Sequence, residues 1–130
     1  AACVGEEMTV LITGDMSFSY DVNGVSSTYL SPRFKIIVMC NGGGGIFRFI
    51  KPTSDLPELE TCFEIHRDIS VEKYADLFGL RYFELNDEKS AAEVLSLFFA
   101  EKDRPAILAV HTPNVYNAEV LRGYFRRSRQ

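Results

Sequence analysis

The sequence predicts an α/β fold: an open, mostly parallel sheet with helices on both faces. Two observations carry this. Four short apolar runs alternate with stretches of helical spacing along the chain, the pattern of strand–helix–strand units with right-handed crossovers. The second run, Phe34-Lys35-Ile36-Ile37-Val38-Met39, is, apart from Lys35, apolar at consecutive positions and not at alternate ones. That suits a strand buried on both faces of a parallel sheet.

The first strand is expected over Met8-Thr9-Val10-Leu11-Ile12-Thr13, ending at Gly14-Asp15. A helix from about Phe18 to Leu30 follows, with Ser17 near its start, and Ser31-Pro32 stops it because proline lacks the helical donor. After the second strand comes Cys40-Asn41-Gly42-Gly43-Gly44-Gly45, and Ile46 to Ile50 reads as a short helical turn cut by Lys51-Pro52. Thr53 to Ser70 is irregular and reads as a loop or short helix. Ser70 is placed to cap a helix running to Phe78, with Gly79 as its terminator. Leu80 to Leu85 is the third strand. Asp87 caps a helix to about Ala100, in which Ala91, Val94, Leu95 and Phe98 recur at helical spacing. Pro105 to Val110 is the fourth strand, and a last helix covers about Val115 to Arg126. No repeat or internal boundary is evident, so residues 1–130 read as a single domain.

Composition excludes several classes. The 14 basic and 18 acidic residues leave a net charge of −4, with no electrostatic footprint for nucleic acid. Arg122, Arg126, Arg127 and Arg129 read as cations near a helix C-terminus. The three cysteines, Cys3, Cys40 and Cys62, form no Cys-x-x-Cys pair. A disulfide framework and a structural zinc site are therefore not expected, and a reducing, cytoplasmic setting is. No apolar run approaches the roughly 18 residues of a membrane span. The chain lacks an initiator Met and opens as though in the last turn of a helix ended by Gly5. It is expected to be a piece of a longer protein.

In such sheets ligands bind beyond the carboxyl ends of the strands. Asp15 and Asn41 lie there, followed respectively by Met16-Ser17 and by four consecutive glycines. A carboxylate, an amide oxygen and a freed backbone carbonyl are hard ligands that suit Mg²⁺ or Ca²⁺. Amides opening a helix after Asp15 favour an anion. Together these predict a metal–diphosphate site. The duller reading is that Asp15 caps a helix and the glycines form a flexible turn.

Asp15 and Asn41 are 26 positions apart. Gly-Asp, this spacing, then Asn, with apolar runs before both halves, resembles the signature of thiamine diphosphate enzymes. The segments Gly14-Asp15-Met16-Ser17-Phe18-Ser19-Tyr20-Asp21-Val22-Asn23-Gly24 and Gly43-Gly44-Gly45-Ile46-Phe47-Arg48-Phe49 are similar to one branch of them. That branch is the synthase family of menaquinone biosynthesis that uses 2-oxoglutarate and isochorismate.

The resemblance implies a diphosphate-binding domain with Asp15, Asn41 and the Gly43 carbonyl as metal ligands. The metal is Mg²⁺, with Mn²⁺ or Ca²⁺ as substitutes. Met16, Ser17 and Gly44 join these residues in holding thiamine diphosphate, and Ile46 and Phe47 line the substrate cavity. The implied reaction is decarboxylation of 2-oxoglutarate and addition of the succinyl-semialdehyde unit to isochorismate. The family's activating glutamate lies in an earlier domain, usually of a partner subunit, and nothing in this chain matches it. The resemblance thus implies a C-terminal diphosphate and Mg²⁺ domain of a homo-oligomeric enzyme, without catalytic residues of its own and inactive alone.

Cys40 stands where the family usually has Asn, and Gly42 and Gly45 suggest a roomier opening above the site. Asp21 and Asn23 are expected to make structural hydrogen bonds within the first helix. Arg48 and Lys51 are cations placed to meet an anionic substrate or simply solvent. His66 and His111 have no nucleophile or His/Cys neighbour in the sequence, and Cys40 reads as a small buried side chain. Three other functions stay open: a diphosphate-binding subunit of another 2-oxoacid decarboxylase, a receiver-like signalling module and a purely structural domain. The receiver reading needs a lysine at a later strand end, where this chain has His111-Thr112-Pro113.

Overall fold

A computed structural model describes residues 7–64, 67 and 69–127. His66, Cys3 and the expected helix end at Gly5 lie outside the described residues. By internal packing the chain divides into two units, Ala1–Cys40 with Ile69–His111, and Asn41–Asp68 with Thr112–Gln130.

The first unit holds the sheet. Its strands are β1 (Thr9–Gly14), β2 (Phe34–Cys40), β3 (Arg81–Leu85) and β4 (Ala106–His111), ordered β1-β2-β4-β3 and all parallel. The expected open α/β fold is what forms. Strand alternation splits the side chains between two faces. Ile36 and Val38 of β2 join Ile107 and Ala109 of β4 on one face, packed with Phe18, Val71 and Ala75. Ala106 and Leu108 lie on the other with Phe98, flanked by Ile37, Phe83 and Leu85. The helices follow these faces. Phe18 comes from α1 (Asp15–Tyr20), Val71 and Ala75 from α2 (Val71–Phe78), and Phe98 from α3 (Ala91–Ala100).

Local signals set most boundaries. The Ser70 hydroxyl accepts the Lys73 N–H at the start of α2, and Gly79 ends it at φ 69°, a left-handed conformation with little cost for glycine. Asp87 accepts the N–H groups of Lys89 and Ser90, opening a 3₁₀ turn, Glu88–Ser90, that leads into α3. The expected helix over Phe18 to Leu30 is corrected. Helix α1 starts at Asp15 and ends at Tyr20, and a separate 3₁₀ turn covers Val22–Val25. Interior Asn23-Gly24 and the run Val25-Ser26-Ser27-Thr28 are poor helix formers, which explains the early stop. Asp21 and Asn23 serve this turn through their backbone carbonyls, which accept from Gly24 and Ser26.

The second unit contains the glycine loop, 3₁₀ turns at Gly45–Arg48 and Thr53–Asp55, a π turn at Leu59–Phe63 and helix α4 (Asn114–Arg127). Among the described residues no helix is long and apolar enough to cross a membrane.

Candidate functional site

The strand register sets Asp15 and Cys40 at one end of the sheet. Gly14 of β1 pairs with Met39 of β2, so Asp15 and Cys40 each follow directly at the carboxyl end. Asp15 is only 4% exposed, and its Oδ1 accepts the Met16 N–H at 2.7 Å. A buried carboxylate is costly unless polar groups or a cation compensate it. Met16 is half-buried and Ser17 exposed on the same short helix. Burial, and then the charges of Asp15 and Glu84, push the Cys40 thiol up to about 11. At neutral pH it is an uncharged side chain and a poor nucleophile.

Asn41 and the glycines belong to the second unit. Gly43 N–H donates to Asn41 Oδ1 at 3.1 Å, an Asx turn that fixes the start of the loop. Gly42, Gly43 and Gly44 follow at φ 82°, 91° and 62°, a succession of left-handed conformations that residues with a Cβ rarely adopt. Gly43 and Gly45 are buried. Gly45 is required for another reason. A Cβ there would overlap Asn114 Oδ1 and come 2.6 Å from Asn41 Nδ2. The room expected at Gly45 is therefore filled by two amide side chains.

A polar cluster backs this loop. Asn114, the first residue of α4, donates through Nδ2 to Gly43 O at 3.4 Å and to Glu64 Oε1 at 3.1 Å. Glu64 is 2% exposed. Arg48 Nη2 reaches Glu64 Oε2 and Glu60 Oε1, each at 2.7 Å, and these bonds, Glu60 first, hold the guanidinium charge. Arg122 donates to the Arg48 carbonyl, and Arg67 N–H donates to Gly42 O at 3.3 Å. Arg48 is thus committed to internal carboxylates, and Lys51 pairs with Asp55 at 3.4 Å. Ile46 is exposed, while Phe47 packs on Phe63 with ring centroids 5.4 Å apart. His111 pairs with Glu84 at 3.1 Å.

The structure therefore brings Asn41, Gly43, Gly44, Ile46 and Phe47 into one loop and turn, and Asp15, Met16 and Ser17 onto one short helix. Asn114, Glu64 and the structural use of Arg48 are not foreseen from sequence. Asn114 is 71 positions from Gly43, and the one local hint is its place at the opening of the last helix. Among the described residues, no group of three or more His, Cys, Asp or Glu gathers as for a metal ion. The candidate donors are of another kind: one carboxylate, one amide and one backbone carbonyl, all hard oxygens that fit Mg²⁺.

Known proteins decide the relationship. No family model matches the chain. It is 48% identical over 117 residues to the 2-succinyl-5-enolpyruvyl-6-hydroxy-3-cyclohexene-1-carboxylate synthase of Porphyromonas gingivalis, covering 90% of this chain and 20% of that protein. By sequence the chain is similar to one part of these synthases. The synthase of Flavobacterium johnsoniae is 39% identical over 96% of the chain and 23% of its own length. That of Christiangramia forsetii is 35% identical over 96% of the chain and 22% of its own length. The chain spans about a fifth of the length of the curated synthases it matches.

Proposed function

We propose that this chain is the diphosphate- and metal-binding part of a thiamine diphosphate-dependent synthase of menaquinone biosynthesis. The observation that carries this reading is the match to the synthases over nine-tenths of the chain. Three successive left-handed glycines directly after Asn41 support it, because they let a backbone carbonyl turn toward a cation.

Asp15, Asn41 and the Gly43 carbonyl are the proposed ligands of Mg²⁺. Mg²⁺ commonly takes few protein ligands and completes its octahedron with phosphate oxygens and water. Met16, Ser17 and Gly44 are proposed to hold the diphosphate, and Ile46 and Phe47 to present apolar surface to the substrate. When bound, thiamine diphosphate supplies the carbon nucleophile for decarboxylating 2-oxoglutarate and passing the remaining unit to isochorismate. The residues of this chain bind and orient. They anchor the charged tail and leave proton handling at the reactive ring to groups elsewhere in the full enzyme, in a pyrimidine-binding domain of a second subunit. The assignment of this chain as the C-terminal domain of a homo-oligomer is part of the same proposal.

Substitution of Asp15 tests the ligand set. Asp15→Ala is expected to abolish the Mg²⁺-dependent part of thiamine diphosphate binding while the circular dichroism spectrum is retained. Unchanged metal-dependent binding in that variant would contradict the assignment. The chain alone is expected to release no CO₂ from 2-oxoglutarate with cofactor and Mg²⁺ present. Turnover by a clean sample would show that the activating group lies within it.

A further inference from the structure

We propose that Asn114 is a positioning residue that holds the Gly43 carbonyl in its metal-binding orientation. The inference rests on the reading of Gly43 O as a metal ligand and adds a residue to it. Three glycines in succession make the loop easy to bend and easy to lose, since glycine gives up more freedom on ordering than any other residue. A carbonyl carried on such a loop needs outside groups to fix its direction.

The second unit supplies two. Arg67 N–H holds Gly42 O, and Asn114 Nδ2 holds Gly43 O. A carbonyl oxygen takes two partners, and Asn114 is one of them. The amide of Asn114 is itself oriented. Its donor end faces both Gly43 O and the Glu64 carboxylate. The reversed amide would set oxygen against oxygen at both contacts.

The cost of this orientation is visible at the other end. Asn114 Oδ1 is buried with no hydrogen-bond partner among the described residues. Buried polar atoms are rarely left so, and here the donor contacts dictate the geometry. Glu64 is held in turn by Arg48, whose carbonyl accepts from Arg122 of α4. The start of α4 and the turn after the glycines are thus tied together, and Asn114 is the member that reaches the loop. Gly45 keeps the space beside it clear, since a Cβ would overlap Asn114 Oδ1.

The test is a calorimetric Mg²⁺ titration of this chain with thiamine diphosphate at saturation, comparing the unsubstituted chain, Asn114→Ala and Asn114→Ser. Apo samples are melted in parallel by circular dichroism to give the folded fraction. The expected result for Asn114→Ala is unchanged stoichiometry with Mg²⁺ affinity weakened about tenfold or more, the range for losing a group that orients a metal ligand. Asn114→Ser keeps one hydroxyl donor and is expected to fall between the two. Reduced stoichiometry in step with a reduced folded fraction, with Kd unchanged in the remainder, is a purely structural effect and overturns the proposal. Loss of fold in both variants does the same, as does an unchanged Kd in both. Failure of the unsubstituted chain to bind Mg²⁺ with thiamine diphosphate would instead sink the underlying site assignment, and is seen before any variant is compared.

Discussion

The Asp15 carboxylate shows its influence on its neighbour Cys40. Burial first, then the negative charges of Asp15 and Glu84, push the thiol from 9.0 up to about 11. A thiol with a raised folded value binds its proton more tightly in the folded state. Its contribution to stability is therefore complete below about pH 9 and is lost as pH rises toward 11. Peptide mapping after iodoacetamide treatment is expected to show Cys40 modified much more slowly than exposed Cys62 at pH 8, its rate climbing only as pH approaches 11. Equal rates at pH 8 would contradict the half-buried, charge-flanked description. Asp15 and Asn41 stand out in the sequence because each follows its apolar run and each offers a side-chain oxygen that residue type alone reveals. Asn114 does not, because its role depends on a contact across 71 positions that no local pattern encodes. Arg48 looks like a free cation for the same reason, with its partners Glu60 and Glu64 in a stretch of weak periodicity.

Elements with strong local chemistry are readable, and those without it are not. Ser70 and Gly79 bracket α2 as their residue types require, one accepting Lys73 N–H and the other adopting φ 69°. Ser70→Ala is expected to destabilise the folded chain by about 1 kcal/mol, the usual effect of removing an N-cap. Urea denaturation would register this as a lower midpoint at unchanged slope, and an unchanged midpoint would mean the cap contributes nothing. The first helix is expected too long because Phe18 to Leu30 has no proline before Pro32. The weak helix formers from Asn23 onward decide otherwise, and the segment turns at Asp21. The π turn at Leu59–Phe63 is not legible, since its wide winding leaves no periodic signature of its own. It matters because it leads directly to Glu64, the carboxylate that Asn114 and Arg48 share.

At the scale of the whole molecule, the consecutive apolar run of β2 correctly announces a central strand of a parallel sheet, flanked by β1 and β4. The division of the chain is hidden, because each unit is assembled from two separated segments. Among the described residues β1 has one strand neighbour, and Val10, Leu11 and Ile12 are exposed, Ile12 by 67%. An apolar edge strand invites association. Sedimentation velocity is therefore expected to show concentration-dependent self-association that Ile12→Lys reduces, and a strictly monomeric chain at all concentrations would contradict this. The curated synthases it matches are about five times longer than this chain. The central task proposed for this chain is to hold a metal and a diphosphate. Isothermal titration of the chain with thiamine diphosphate, in Mg²⁺ and again in EDTA, tests that most directly. Weak, saturable binding in Mg²⁺ that disappears in EDTA is the predicted result. Tight binding in EDTA, or no binding in either, would contradict it.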